Sequence, residues 1–193
     1  LANIYNRRMT KQLSQILPAF KNTVVAADGS TITDLSEINN IQISSLVFDS
    51  REVKAGSLFF ALPGTHTDGN NYIEQAILAG ANAVVFQGEL TPSQKQDVAQ
   101  AIIKRTIDNA VSDETPKFAP ALINVADARY AMAPLSARFY DNPSERLIVI
   151  GVTGTEGQSS TVRCIWQLIR ACGEKAGFIS TVVYSFGGDA LPN

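Results

Sequence analysis

The chain has 193 residues, 45% of them apolar and 18% charged, which is ordinary for a globular protein and enough to bury a sizeable core. A formal net charge of −2 and a pI near 5.4, with no long run of like charge, argue against a nucleic-acid-binding face. No apolar run approaches the ~18 residues of a membrane span, and the arginines of "LANIYNRRMTKQL" are followed by no apolar stretch, so no secretory signal is read.

The chain opens on Leu1. That start is read as lying upstream of a natural start such as Met9, as an added remnant, or as a processed end. In "TKQLSQILPAF" (10–20) Leu13, Ile16, Leu17 and Phe20 share one helical face, so a short amphipathic helix limited by Pro18 is expected. A polar stretch follows, with no element read in it. Alternation in "IQISSLVFDS" predicts a strand from Ile41 to Phe48, and "GSLFFAL" (56–62) predicts a second, stopped by Pro63-Gly64.

The loop "PGTHTDGNN" combines turn formers with polar side chains, as ligand-meeting loops do. "YIEQAILAG" (72–80) is a helix closed by Gly80, and "ANAVVFQ" (81–87) a buried strand. A helix over 92–111 starts at Thr91-Pro92, in N-cap and first-turn positions. "APALINV" (119–125) is a strand, and Asp127 caps a helix to Tyr140 that Pro134 should kink or interrupt. "DNPSE" (141–145) is the best boundary between domains, placed at 1–141 and 142–193.

Beyond it come the strand "RLIVIGV", a glycine turn, a helix from Ser159 to Ala171 ended by Gly173, and the strand "AGFIST". Cys164 and Cys172 lie eight apart in that helix, which is not metal-ligand spacing, so they read as reduced core thiols of a cytoplasmic protein. Cys164 and Trp166 are assigned to helix packing. Strands alternating with helices give an α/β fold with largely parallel sheets. One strand, one helix and one further strand cannot cover both faces of such a sheet. The second domain is therefore expected to be incomplete, or completed by a partner.

The turn "GVTGTEGQSSTV" (151–162) has the shape of a phosphate loop, in which backbone N–H groups and a helix start converge on an anion. Gly154 and Gly157 supply backbone freedom, and Ser159 stands where a hydroxyl would hold Mg2+. The charges run the other way. Gln158 occupies the lysine position, Glu156 adds a carboxylate beside it, and the general pattern's first glycine would fall at Val152. Opposed unit charges ~4 Å apart at an effective dielectric of ~20 are worth about 4 kcal/mol before desolvation. Taken by the residues alone, a tight αβ corner accounts for the turn as well as a nucleotide site does.

With these motifs in place the chain resembles the Mur ligase family, MurE-type. "VIGVTGTEGQSST" is similar to that family's ATP loop, where Gly-Thr-Asn-Gly-Lys-Thr-Thr is usual, and "ARFYDNPSERL" resembles the stretch joining its first two domains. "VFDSREVKAGSLFFALPGTHTDGNNYIEQAILAGANAVV" is similar to the first domain of MurE-type and MurF-type enzymes. The resemblance implies a UDP-sugar-binding domain over 1–141 and the beginning of an ATP-binding, P-loop-like parallel-sheet domain over 142–193. Within these, it implies that Phe48 and Ser50 contact the uridine end, with Thr65, His66 and Thr67 lining the same pocket. Asp49 and Arg51 would shape the strand end, unless they are an ordinary surface ion pair. Gly154, Thr155, Glu156, Gly157, Gln158, Ser159 and Ser160 would face ATP, with Ser159 or Ser160 near Mg2+. Ser180 and Thr181 would lie near the sugar-peptide end, where the family has Gly-Thr.

The implied activity is that of a UDP-N-acetylmuramoyl-tripeptide synthetase, which uses ATP to join an amino acid to a peptidoglycan stem peptide. Its cofactors would be ATP and Mg2+, weakened or lost here by Gln158 and Glu156. A UDP-N-acetylmuramoyl-peptide or related UDP-sugar is the implied partner, with a protein partner or further C-terminal domains as additional ones. The alternative is a non-catalytic homologue that binds the UDP-sugar or a partner protein; an assembly module whose αβ corner binds nothing is a third reading.

Overall fold

The computed structural model describes residues 9–17, 23–25, 31–32, 38–64, 67–111, 119–186 and 191–192. The chain divides into two compact units, Leu1–Arg146 and Leu147–Asn193.

In the first unit, β1 (Lys11–Gln12) leads into α1 (Leu13–Ile16), and β2 (Thr23–Val25) and β3 (Thr31–Ile32) follow. Next come β4 (Gln42–Ile43), β5 (Ser45–Val47), β6 (Ser57–Phe60), α2 (Ile73–Leu78) and β7 (Ala83–Gln87). The unit ends with α3 (Pro92–Val111), β8 (Ala121–Val125) and α4 (Ala128–Phe139). The six-stranded sheet runs β3-β2-β8-β7-β6-β5. Strands β5 to β8 are parallel, in register Val47↔Phe59, Phe59↔Val84 and Val84↔Leu122.

Every residue of β6 is buried, as are Ala83 to Phe86 of β7, because central parallel strands are covered on both faces. Leu58, Phe60, Ala83, Val85, Ala121 and Ile123 join Leu13, Ile16 and the Ala128–Ala131–Leu135–Phe139 stripe of α4 in one core. Phe59, Val84, Phe86 and Leu122 join Ile73, Ala76, Ile77 of α2 and Val98, Ala101, Ile102 of α3 in the other. The period-2 alternation of the strands thus sorts side chains between two helical layers.

Local capping fixes where the helices start. Thr91 Oγ1 accepts from Gln94 N at 3.2 Å while Gln94 Oε1 accepts from Thr91 N at 2.9 Å, a reciprocal capping box. Asp127 Oδ1 accepts from Tyr130 N at 2.8 Å at the head of α4.

Of the kink or interruption expected at Pro134, the interruption does not occur: α4 runs through it, with buried Ala128 and Ala131 before it and Leu135 and Phe139 after it. Three further expectations for this unit need correction. The polar stretch to which no element is assigned from sequence contains β2 and β3; β2 pairs antiparallel with β8, with Val24↔Ile123, and β3 with β2. The single strand expected over 41–48 is two: β4 pairs with β1 and β5 with β6. Lys11 and Gln12 are extended, so α1 is shorter than expected; Phe20 and Pro18 lie outside the described residues.

In the second unit, α5 (Gln158–Ala171) is followed by β9 (Gly177–Ile179), β10 (Val183–Phe186) and β11 (Leu191–Pro192), paired antiparallel in the order β11-β10-β9. "RLIVIGV" is not a strand: Leu147, Ile148, Val149 and Ile150 are 67%, 95%, 71% and 54% exposed. A strand exists only through a neighbour's backbone groups, and no described strand pairs with this segment. Cys164 and Cys172 are exposed rather than core thiols. Trp166 does pack, its ring 5.2 Å from that of Phe178 and its Nε1–H donating to Ala176 O at 3.0 Å.

Candidate functional site

The two ends of the parallel sheet differ. At the N-terminal end a polar seam is closed on itself. Buried Asn82 donates to Gln42 O at 2.8 Å and accepts from Arg105 Nη2 at 2.6 Å, and Arg105 also donates to Ala81 O and Gly80 O. Burial among neutral carbonyls lowers the pKa of Arg105 from its ordinary value. The C-terminal ends of β5 to β8 instead release four connecting segments, the place where open α/β sheets take their ligands.

At the end of β5, Phe48 projects with 69% of its surface exposed. Asp49 then caps the 3-10 turn Ser50–Glu52, accepting from Arg51 N at 3.0 Å. The Arg51 guanidinium grips the same carboxylate with Nε at 2.9 Å and Nη2 at 2.6 Å. Those bonds, side chain first and then backbone, hold the Asp49 pKa down at about 2 from an ordinary 3.8, and the pairing raises that of Arg51. A depressed carboxylate stabilises the turn fully above its ordinary pKa, and the contribution disappears as pH falls through about 2. Arg51→Ala should therefore return the Asp49 titration toward 3.8, read by carbon NMR of its carboxyl. A titration still near 2 would assign the shift to the backbone N–H instead. Ser50 Oγ donates to Gln75 Oε1 on α2 at 3.5 Å, a weak contact that leaves it exposed to solvent partners.

At the end of β6 the chain folds back on itself. Pro63 and Asp68 form a bridge, Gly64 N donates to Thr67 O at 3.0 Å, and Gly69 N to Leu62 O at 3.1 Å. Asp68 Oδ1 accepts from Asn70 N at 3.0 Å, capping the turn Gly69–Tyr72. Two further side chains pin this loop to its neighbours. Arg129 Nη2 donates to Pro63 O at 3.0 Å, and Asn70 Nδ2 to Gln87 O at 3.1 Å. Gln87 in turn accepts from Ala128 N at 2.9 Å.

Phe48, Asp49, Ser50 and Arg51 thus stand at one strand end and Thr67 on the loop of the adjacent strand, so the fold brings these predicted residues to one edge. Thr65 and His66 lie outside the described residues. Asn70, Gln87 and Arg129 did not figure in the sequence reading. Arg129 meets Pro63 across 66 positions of chain, which no local pattern reveals.

In the second unit, Gly157 has φ 76°, the left-handed conformation that suits glycine, and is the N-cap of α5. The Gln158 Nε2–H donates to Gly154 O across the turn, so its amide closes the loop where a lysine would extend from it. Thr155, Glu156 and Ser160 are exposed and Ser159 is half-buried in the first turn of α5. Within the turn itself, residues 154–160, no side chain carries a positive charge. Ser180 Oγ donates to Val183 O at 2.8 Å and accepts from Val183 N at 3.1 Å, which makes it the pivot of the β9–β10 turn; Thr181 beside it is exposed. Among the described residues no group of three or more His, Cys, Asp or Glu is placed to hold a metal, and no helix is long and apolar enough to cross a membrane.

The family model described as "Mur ligase family, catalytic domain" matches residues 42–140, the span that carries β4 to α4 and the whole C-terminal edge. The chain belongs to the Mur ligase family.

Among relatives, the UDP-N-acetylmuramyl-tripeptide synthetase of Treponema pallidum (strain Nichols) is 46% identical over 151 residues, covering 78% of this chain and 24% of that protein. The protein of that name from Treponema denticola is 37% identical over 185 residues, covering 95% of this chain and 31% of its own length. This Mur ligase family chain therefore spans about a quarter to a third of the curated relatives it matches. Among solved structures, MurF from Acinetobacter baumannii matches with a TM-score of 0.51 at 18% identity, over 84% of this chain and 28% of that one, a likeness of fold.

Proposed function

We propose that the first unit, over residues 1–141, holds the uridine-diphosphate end of a UDP-N-acetylmuramoyl-peptide at the C-terminal ends of β5 and β6. Residues 142–193 begin an ATP-binding domain in this reading. The observation that supports it most is Phe48: an aromatic ring with 69% exposure, beside a loop held by hydrogen bonds from two other elements. A large exposed apolar ring next to a preorganised polar loop suits a flat base bearing polar substituents. Ser50, Thr65, His66 and Thr67 supply the hydroxyls and the imidazole for the ribose and diphosphate.

The activity of the whole protein would be that of a UDP-N-acetylmuramoyl-tripeptide synthetase, a ligase of peptidoglycan biosynthesis. The 154–160 turn, with Ser159 toward Mg2+, would hold ATP weakly. A non-catalytic homologue that keeps the UDP-sugar and has lost chemistry is the second reading. It is favoured by the Gln158 amide bonded to Gly154 O where a cation is needed. Since the residues present do not fit a triphosphate in charge, no catalytic step is assigned to them.

Calorimetric titration with UDP-N-acetylmuramoyl-dipeptide tests the first-unit assignment. Saturable binding is expected, and Phe48→Ala should weaken it about tenfold, the low end of the ~1–3 kcal/mol that aromatic stacking on a base contributes. Absence of heat with UDP and UDP-sugars alike would remove the assignment.

A further inference from the structure

Hydrogen bonds at the C-terminal edge close into a ring that joins α4, the end of β7 and the loop after β6. Arg129 Nη2, in the first turn of α4, donates to Pro63 O at 3.0 Å. Its neighbour Ala128 donates its N–H to Gln87 Oε1 at 2.9 Å, and Gln87 O accepts from Asn70 Nδ2 at 3.1 Å. Asn70 leads back along the chain to Pro63, past the Gly69 N–H bonded to Leu62 O at 3.1 Å. Both feet of the loop are thereby held, and Arg129 is the member that reaches it from α4.

What Arg129 holds is a peptide plane. Pro63 C=O and Gly64 N–H belong to one planar unit, so fixing the oxygen fixes the direction of the N–H. That N–H donates to Thr67 O at 3.0 Å, and Pro63 bridges Asp68 on the facing limb. The two limbs lie close: a Cβ on Gly64 would stand 2.6 Å from Thr67 O. The orientation set by Arg129 therefore passes through one peptide to Thr67. Arg129 itself is exposed. A single bond there competes with water and orders a long side chain, so it adds little to the stability of the fold. Its effect falls on the loop, because a loop already ordered costs less to order around a ligand.

We propose that Arg129 is a positioning residue for the nucleotide end, acting through Pro63 O and the Gly64 N–H on Thr67. This rests on the assignment of the loop to the UDP-sugar.

The test combines calorimetry with UDP-N-acetylmuramoyl-dipeptide, urea unfolding, and hydrogen exchange at the Gly64 amide of the free chain. Arg129→Met keeps an unbranched stem and removes the donors. It should weaken binding about fivefold, the worth of one hydrogen bond. Gly64 exchange should quicken by a similar factor at an unchanged urea midpoint. Arg129→Lys, which keeps a donor, should restore most of both. Parent-like affinity in Arg129→Met would overturn the proposal and leave the UDP-sugar assignment standing. Weaker binding with Gly64 exchange unchanged would also overturn it, and would put the guanidinium directly on the phosphates. A midpoint that falls in step with affinity would reduce Arg129 to a structural role. No binding by the parent would remove the assignment, and the proposal with it.

Discussion

Gly69→Ala should lower the stability of the first unit by about 3 kcal/mol, the upper range for forcing an extra methyl group into packed structure. The Cβ would lie 2.4 Å from Leu62 O, 2.6 Å from the Ala61 carbonyl carbon and 2.6 Å from Leu62 N. These are backbone atoms at the exit of a fully buried strand, so no side chain can swing aside. The same turn carries the Gly69 N–H to Leu62 O bond, and it leads into the cap by Asp68. Relief of the clash therefore opens the loop, and UDP-sugar binding should fall with stability. Urea unfolding would show a lower midpoint at unchanged slope. Gly151→Ala is the control, because nothing lies within 4 Å of its added Cβ. Equal midpoints for Gly69→Ala and the parent would show that the loop adapts and that the close approach does not constrain it.

Gln158→Lys combined with Glu156→Asn should tighten Mg·ATP binding by about 10- to 100-fold. One contact regained and one repulsion removed would be worth about 4 kcal/mol each at ~4 Å and a dielectric of ~20. Both side chains are exposed, so water and salt screen most of that. Lysine at 158 would also give up the closed bond to Gly154 O only if the phosphate outcompetes the carbonyl, which limits the gain. Calorimetry on parent and variant in the presence of UDP-sugar reads the difference. Should the parent bind Mg·ATP as tightly as the variant, some other cation serves the turn and the charge argument fails. Should the parent hydrolyse ATP with its substrates present, the non-catalytic reading fails.

Much of the architecture was legible from local pattern. α3 over 92–111 followed from Thr91-Pro92, because an N-cap residue and a first-turn proline are written at adjacent positions, and the structure adds the reciprocal bonds between Thr91 and Gln94. Strands β6, β7 and β8 were legible because continuous apolar runs bounded by Gly and Pro have few other uses. β2 and β3 were not, since runs of three and two residues become strands only when the edge of β8 supplies their partners. The opposite error was made at Leu147–Ile150, whose apolar run implied a strand although none of the described strands pairs with it.

Membership in the Mur ligase family was already written in the order of motifs between Phe48 and Gly157, because turn glycines, capping acids and strand ends are properties of short segments. The charges at 156–158 were equally local: a side chain's formal charge needs no fold to be known. What only the tertiary structure decided is how the edge is held. Arg129 on Pro63, Asn70 on Gln87 and the buried, donorless Asn70 Oδ1 join residues from different layers. Hydrogen bonds between such distant positions are set by the sheet's register and helix docking, which arise from the packing of the whole unit rather than from any one stretch.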